Sequence, residues 1–312
     1  MKALEINEPA SFTIVQNLRG LVAEMRPQEW AKNLLVFTGV IFSKSLTDLN
    51  NLGISLLGFL IFCVASSGVY IFNDLCDLKR DREHPVKRNR PLASGALNIN
   101  LARFAMVVLF ATATIGSLAL SRGFALVIAV YLITCLAYSL KLKDIVILDV
   151  IVIANGFVLR AVSGAILIGV DVSEWLVLCT SMVALLVGFG KRRHELALLE
   201  GTAENHRRSL SDYSLQFLDS IMAICAGAAL ITYALYTRSE ETVARVGSHG
   251  MLITIPFVVY GIFRYLFLIH RRKAGGDPVQ ILLRDRPTLL NLVLWILTAG
   301  LVIYVPKLWH IG

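Results

Sequence analysis

The sequence predicts an all-α polytopic membrane protein with about nine transmembrane helices around a cavity that opens to the cytoplasm. Three observations lead to this fold class. Hydrophobic residues make up 56% of the 312 positions and charged residues only 17%, and the mean hydropathy is +0.68. Apolar runs of about 20 residues, the length a helix needs to cross a bilayer, recur along the chain. The Lys, Arg and Asp residues are concentrated in alternate loops, which places them on one side of the membrane.

Nine apolar runs predict the nine helices, because each is long enough and carries few charges. They are residues 33–47, 52–72, 101–120, 124–140, 146–169, 173–190, 217–237, 250–269 and 288–306. Residues 1–32 form a cytoplasmic lead-in, of which 12–30 is amphipathic and is predicted to lie on the membrane surface. No cleaved signal peptide is expected. We expect a single domain, residues 1–312, with cytoplasmic active-site loops at 73–100 and 191–216.

The distribution of Lys and Arg predicts the orientation. With the N-terminus inside, the cytoplasmic segments hold 22 of the 30 basic residues and the outer segments hold 5. This asymmetry follows the positive-inside tendency of membrane proteins. It accounts for the formal net charge of +8 without a nucleic-acid partner, and it places the charged loops in the cytoplasm.

The first candidate site follows the second predicted helix, where residues 73–85 carry a cluster of acids. If the helix continues at about 100° per residue, five polar side chains share an arc of about 100°. They are Asn73, Asp74, Asp77, Asp81 and His84. Carboxylates on one face repel one another unless a cation lies between them, and oxygen ligands of this kind suit Mg²⁺ shared with a diphosphate. The alternative is a solvated acidic helix end that its own lysines and arginines neutralise.

Basic side chains next to this acidic face predict an anion-binding site. Lys87, Arg88 and Arg90 follow it directly, and Arg side chains bind phosphate oxygens in pairs. Lys32 and Asn33 stand at the start of the first predicted helix, where they can face the same opening. Ordinary positive-inside charge is the alternative for any one of these residues.

The fourth and fifth predicted helices meet at a polar turn that contains Tyr138 and Lys143. Beyond it, Asp149, Gly156 and Arg160 share one stripe of the fifth helix. Ionisable groups in a membrane helix usually face the bundle interior and mark function. A buried structural Asp–Arg pair is the alternative.

The loop after the sixth predicted helix is basic. Lys191 and Glu195 lie four residues apart on one helix face, for which a plain ion pair is the alternative. Arg192 stands beside Lys191, and Arg208 lies further along the loop, where it can help to close a phosphate pocket. This loop therefore predicts a second, basic side of the site.

The acidic cluster also carries a family resemblance. The run Asn73-Asp74-x-x-Asp77-x-x-x-Asp81, followed by Arg90-Pro91-Leu92-x-x-Gly95, resembles the first Asp-rich motif of the UbiA superfamily of intramembrane prenyltransferases. The nine-helix layout extends the resemblance to the whole chain. It implies a UbiA-like fold in which Asn73, Asp77 and Asp81 bind Mg²⁺ and a diphosphate, with Asp74 in support.

One departure from the family pattern changes the expected substrate. Most members carry a second Asp-x-x-x-Asp motif after the sixth helix, where this chain has Lys191-x-x-x-Glu195. One acidic and one basic cluster suit a substrate with a metal-bound diphosphate at one end and a bare phosphate at the other. The pattern resembles the phosphoribosyltransferase branch of the family. This implies transfer of 5-phosphoribosyl from phosphoribosyl diphosphate to a polyprenyl (decaprenyl-type) phosphate, for lipid-linked pentofuranose donors.

Two other functions compete with this hypothesis. A prenyltransferase that moves a prenyl diphosphate onto an aromatic or other small acceptor is the main alternative, and acids at both 191 and 195 would favour it. A non-catalytic carrier of lipid phosphate is disfavoured, because the polar residues cluster at one face and do not follow a path.

The residue pattern and the resemblance together give the expected site. The roles are catalytic for Asp74, Asp77, Asp81 and Asp149, metal-binding for Asn73, Asp77 and Asp81, and substrate-binding for Lys32, Asn33, Lys87, Arg88, Arg90, Tyr138, Lys143, Arg160, Lys191, Arg192, Glu195 and Arg208. The expected cofactor is Mg²⁺, and the expected location is the bacterial cytoplasmic (inner) membrane with the active site facing the cytoplasm. The sequence is compatible with a monomer or a homo-oligomer.

Overall fold

The computed structural model describes residues 14–198, 210, 212–272 and 284–305, and within these ranges the regular structure is helical. The α-helices are α1 Ile14–Glu24, α2 Thr38–Phe42, α3 Leu49–Cys76, α4 Leu78–Glu83, α5 Ile99–Leu120, α6 Arg122–Leu140, α7 Leu148–Leu167, α8 Glu174–Leu198, α9 Leu215–Arg238, α10 Glu240–Val246, α11 Ile255–Arg272 and α12 Arg286–Tyr304. Short 3₁₀ helices lie at Pro27–Phe37, Lys87–Asn89, Leu142–Asp144 and Gly250–Thr254.

Eight helical segments in the described part of the chain are long and apolar enough to cross a membrane. They are α3, α5, α6, α7, α8, α9, the segment Gly250–His270 and α12. Each corresponds to one of the apolar runs that predict a helix, with ends that differ by a few residues. The all-α polytopic fold class is therefore confirmed.

Five of the eight membrane-length segments begin where the sequence supplies a polar cap. Side-chain oxygens of Asp48, Asn98, Ser121, Ser214 and Asp285 each accept a backbone N–H from the first turn of the helix that follows. Such caps satisfy N–H groups that have no partner within the helix. Because these residues stand at the polar edges of the apolar runs, the observed ends stay close to the predicted ones.

The first predicted helix, residues 33–47, has a different form from the others. Pro27–Phe37 is a 3₁₀ helix that leads directly into α2, and the chain turns at Lys44, whose φ is 61°. The structure keeps a ninth apolar segment, but not as one continuous α-helix.

A close backbone contact fixes this segment against α7. A Cβ atom at Gly164 would lie 2.0 Å from the carbonyl oxygen of Val36, and one at Gly39 would lie 2.3 Å from the carbonyl carbon of Gly164. Only glycine allows two backbones to approach so closely. Thr38 Oγ1 adds a hydrogen bond to the carbonyl oxygen of Ala161 at 3.2 Å. The 3₁₀ helix therefore packs directly on α7.

The apolar interior has two main clusters, and α7 contributes to both. In the first, Phe62 of α3 makes edge contacts with Phe124 and Tyr131 of α6, at ring-centroid distances of 5.8 and 5.4 Å. In the second, Val150 of α7 packs among residues of α8 and α9 that include Met222. The second cluster holds the parts of α7 and α8 that carry the candidate site, whereas the end of α3 packs in a third cluster through Ile71, against Leu92 and Leu97.

The Asp-rich segment is almost continuously helical. Asp77 is the C-terminal cap of α3, and α4 follows at once. The Asp77 N–H donates to the carbonyl oxygen of Asn73 at 2.9 Å, and the Asp81 N–H to that of Asp77 at 2.8 Å. Asn73, Asp77 and Asp81 therefore lie on one face of successive turns, as the helical interpretation of the sequence predicts.

Candidate active site

The acidic side of the site is held by basic residues from other elements. Arg90 donates from Nη1 to Asp74 Oδ1 at 2.9 Å and to Asp81 Oδ2 at 2.6 Å. Arg26 forms an ion pair with Asp74. Lys143 donates from Nζ to Asp77 Oδ1 at 2.5 Å. Each carboxylate that the sequence places on this face thus has a cationic partner, which removes the repulsion between them.

Burial separates the three aspartates. Asp74 and Asp81 are only 2% and 3% exposed, whereas Asp77 is more accessible, with a 15% exposed side chain. Among the residues that the structure describes, no three His, Cys, Asp or Glu side chains converge in an arrangement that could hold a metal ion. His84 accepts the backbone N–H groups of Val86 and Lys87 through Nδ1, which stabilises the turn after α4. Asp77 is therefore the acid best placed to meet a ligand.

Arg26 and Glu24 also belong to this side of the site, although the sequence did not predict them. Arg26 has a left-handed backbone (φ 53°), and its guanidinium lies 5.0 Å from the centre of the Tyr70 ring. Burial by itself lowers the pKa of Arg26, but interactions with its neighbours, above all Asp74, together raise it by a larger amount. The pKa of Arg26 therefore lies above its usual value, and the group stays charged. Burial, together with the neighbouring Asp74, raises the pKa of Glu24 to about 8. In the sequence, Arg26 could have been found only by asking which cation neutralises Asp74, since the two residues are far apart along the chain.

The basic side lies where the 3₁₀ helix meets the end of α8. Lys32 forms an ion pair with Glu29. Lys191 is exposed to solvent, and its ammonium interacts electrostatically with Lys32 and Glu29. Burial raises the pKa of Glu29, but Lys32, Lys191 and Arg26 together lower it below its usual value. Because Arg26 also binds Asp74, the acidic and basic sides are neighbours.

Arg192 occupies the centre of a buried network instead of facing the opening. Its Nε donates to Asp149 Oδ2 at 2.6 Å, its Nη2 donates to the Tyr138 hydroxyl at 3.2 Å, and it forms an ion pair with Glu195. Arg192 is 2% exposed and Asp149 is 0% exposed. The expected contact of Arg192 with substrate and the expected catalytic role of Asp149 do not fit this arrangement.

The network also includes the acid of the α8 motif. Glu195 forms an ion pair with Arg192, and it also interacts electrostatically with Lys191. Tyr138, which the sequence assigns to substrate binding, contributes its hydroxyl to the same network. Lys191 thereby remains at the surface of the opening while its neighbour anchors the helix end.

Arg160 and Asn33 form a separate buried group within the bundle. Arg160 donates from Nε to Asn33 Oδ1 at 2.6 Å, from Nη1 to the carbonyl oxygen of Gly156 at 2.6 Å, and from Nη2 to the Tyr131 hydroxyl at 2.9 Å. Asn33 is 1% exposed and does not face the opening, contrary to expectation. Asp149 pairs with Arg192, so the buried Asp149–Arg160 pair considered from the sequence is absent.

The remaining predicted residues are partly accounted for. Lys87 and Arg88 are exposed in the 3₁₀ turn after α4, next to Arg90. Asn73 donates from Nδ2 to Asp74 Oδ1 at 3.4 Å. Arg208 lies outside the described residues, so its predicted part in a phosphate pocket stays a prediction.

Comparisons with known proteins agree with this architecture. A sequence model described as the UbiA prenyltransferase family matches residues 34–283. The chain is 32% identical to a decaprenyl-phosphate phosphoribosyltransferase of Mycolicibacterium smegmatis, over 97% of this chain and 99% of that protein. A protein of the same name from Mycobacterium tuberculosis is 33% identical over 90% and 93%. The solved structure of a UbiA homolog from Archaeoglobus fulgidus bound to GPP and Mg²⁺ aligns with a TM-score of 0.68 and 19% identity, over 91% and 99% of the two chains.

Proposed function

The chain belongs to the UbiA prenyltransferase family, and we propose that it transfers 5-phosphoribosyl from phosphoribosyl diphosphate to a polyprenyl phosphate, releasing diphosphate. The product would be a lipid-linked precursor of pentofuranose donors. The names of the relatives with 32% and 33% identity over most of the chain support this activity. The structural observation that carries it is the pairing of an acidic helix face at Asp77 with a basic edge at Lys32 and Lys191.

The acidic face is the proposed end for the diphosphate. Its donors are oxygens only, and Asn73, Asp77 and Asp81 lie four residues apart on one helix face, which is a donor set that fits Mg²⁺. The Archaeoglobus homolog is a Mg²⁺ complex, which supports the same cofactor here. Mg²⁺ held by these residues would neutralise charge on the departing diphosphate. Lys143 and Arg90 already lie against the same carboxylates and would add charge-assisted hydrogen bonds to the phosphate oxygens.

The basic edge is the proposed position of the sugar 5-phosphate. A bare phosphate needs charged donors, and Lys191 with Lys32 supplies two from facing elements. Glu29 forms an ion pair with Lys32 and interacts electrostatically with Lys191. Arg192 is withdrawn into its network and would fix the end of α8 that carries Lys191. The exposed Lys87 and Arg88 are further candidates for phosphate binding.

The proposed chemistry is a direct displacement at C1 without a general base. The acceptor is a phosphate monoester with a second pKa of about 6, so that it is mostly ionised at pH 7 and no residue has to remove its proton. Catalysis would come from orientation of the two substrates and from stabilisation of the leaving diphosphate as C1 gains oxocarbenium character. Attack from the side opposite the diphosphate converts an α-configured donor into a β-linked product.

Purified protein tests the proposal directly. It would be incubated with ribose-labelled phosphoribosyl diphosphate and a polyprenyl phosphate, with and without Mg²⁺, and the organic phase would be analysed for a labelled lipid. A labelled, organic-soluble product that requires both substrates is the expected result. No labelled lipid, combined with transfer from a prenyl diphosphate to a small aromatic acceptor, would replace this function by prenyl transfer.

The proposed orientation places the site on the cytoplasmic side of the bacterial inner membrane. The support is the 22-to-5 distribution of basic residues, together with the position of Asp77 at the end of α3 and of Lys191 about two turns before the end of α8. A soluble phosphoribosyl donor would reach the opening from this side. The apolar surfaces between the helices leave the acceptor's tail within the lipid.

A further inference from the structure

The turn between α6 and α7, residues 141–147, contains an unusual backbone conformation. Ile147 has φ 69° and ψ −48°, a combination that β-branched residues rarely adopt. The Leu148 N–H donates to the carbonyl oxygen of Val146 at 2.8 Å, which closes a tight three-residue turn around Ile147. Turns of this hand are rare and strained. Such strain persists only where surrounding contacts hold it.

The turn connects two charged groups of the candidate site. Lys143 lies before Ile147 and binds Asp77, the most accessible of the motif aspartates. Asp149 lies after it and binds Arg192 at the end of α8. A change in the backbone at Ile147 would therefore shift the acidic side relative to the basic side.

One hydroxyl group holds the strained turn. The Tyr213 hydroxyl accepts the Ile147 N–H at 2.6 Å and donates to Asp149 Oδ1 at 2.9 Å. Tyr213 is 5% exposed, and its ring stacks on Phe217 with centroids 6.0 Å apart. The segment just before α9 thus bonds to both sides of the turn. In the part of the chain that the structure describes, Asp149 has one oxygen on Tyr213 and the other on Arg192.

We propose that Tyr213 is a positioning residue for the transfer reaction. Its hydroxyl holds Ile147 in the strained conformation, and the turn in this conformation presents Lys143 to Asp77 and Asp149 to Arg192. The inference rests on the proposed function, because it assigns Tyr213 to the geometry of the phosphoribosyl diphosphate site. Tyr213 itself does not need to touch substrate.

Tyr213→Phe is the first test, because it keeps the ring and removes only the hydroxyl. We expect kcat/KM for phosphoribosyl diphosphate to fall at least about tenfold, while KM for polyprenyl phosphate stays within about twofold. Tyr233→Phe is the matched control. The Tyr233 hydroxyl also makes two side-chain hydrogen bonds, with Thr254 Oγ1 at 2.7 Å and with Trp295 Nε1 at 2.9 Å, but Tyr233 lies near the other end of α9. Equal losses in the two variants would overturn the proposal.

A second substitution separates positioning from general support of the fold. Glycine adopts positive φ without strain, so Ile147→Gly placed in the Tyr213→Phe protein should keep the turn without the hydroxyl. We expect the double variant to regain most of the lost kcat/KM. Failure of this rescue, with melting temperatures equal to that of Tyr213→Phe, would show that Tyr213 supports the core and not the turn.

A structural readout keeps this test independent of the proposed activity. Lys143 is only 4% exposed, and its Nζ lies 2.5 Å from Asp77 Oδ1. Displacement of Lys143 should expose its amine, so labelling of Lys143 by an amine-reactive reagent, followed by mass spectrometry, should become at least about threefold faster in Tyr213→Phe. Ile147→Gly should restore the rate. Unchanged labelling would overturn the positioning role, whereas absence of phosphoribosyl transfer in the unmodified protein would overturn only the proposed function.

Discussion

Replacing Arg90 with Gln would remove the guanidinium that joins Asp74 and Asp81. Both acids are buried, and Arg90 Nη1 lies 2.9 Å from an oxygen of Asp74 and 2.6 Å from one of Asp81. Loss of one partner from a buried ion pair costs about 3–5 kcal/mol. Asp74 still has Arg26 as a partner, so only Asp81 loses its cation. The free energy of unfolding should therefore fall by about 3 kcal/mol.

This free energy converts into a shift of the melting temperature. For a chain of this size, each kcal/mol corresponds to about 2 °C, so Arg90→Gln should melt about 6 °C below the unmodified protein. Differential scanning fluorimetry in detergent measures the shift. Arg88→Gln is the matched control, because Arg88 stands in the same turn but is exposed. A melting temperature within about 1 °C of the unmodified protein would refute the assignment of Arg90 as the partner of a buried acid.

Mg²⁺ extends the same experiment to the cofactor. A divalent cation between the acids can take the place of the missing guanidinium, and a ligand that binds only the folded state raises stability. Added Mg²⁺ should therefore raise the melting temperature of Arg90→Gln more than that of the unmodified protein. An equal effect on the two proteins would indicate that Mg²⁺ does not take the place of the Arg90 guanidinium.

Four further outcomes test the site and its orientation. Asp77→Asn should lower activity about 10²-fold or more, because it removes a charged ligand that stabilises the departing diphosphate, and each kcal/mol of lost transition-state stabilisation costs about fivefold in rate. Near-normal turnover would contradict the assigned role. Lys191→Ala should raise KM for phosphoribosyl diphosphate far more than for the lipid, whereas equal effects would place Lys191 elsewhere. The product should be β-linked at C1 by NMR, and an α-linkage would exclude single displacement. Exposed Cys76 should react with an impermeant maleimide from the cytoplasmic face only, and phosphoribosyl diphosphate should slow the reaction.

The membrane helices were predictable because their signal is local. An apolar run of sufficient length fixes a span, and polar caps such as Asp48 and Asp285 fix its start. The 3₁₀ form of Pro27–Phe37 was not predictable in this way. Its packing on α7 relies on Gly39 and Gly164 meeting in space, and nothing in residues 27–42 alone reveals that contact.

The same distinction applies to the site. The acidic face could be predicted because Asn73, Asp77 and Asp81 repeat at the helical period. Their partners could not, since Arg26 and Lys143 are 48 and 66 positions away from the acids that they bind. Arg192 shows what the sequence alone cannot decide. An arginine suits phosphate binding as well as a buried ion pair, and only the position of Asp149 in the structure shows that Arg192 is already paired.

The contact between the 3₁₀ helix and α7 has a consequence for biosynthesis. Gly39 and Gly164 are 125 positions apart, and ribosomes add about 5–20 residues per second. Residues 27–42 therefore emerge about 6–25 s before the surface on which they pack has been made. During that interval the Asn33 amide has no Arg160 to bind. This segment must wait for α7 to be inserted before it can take up its final place in the bundle.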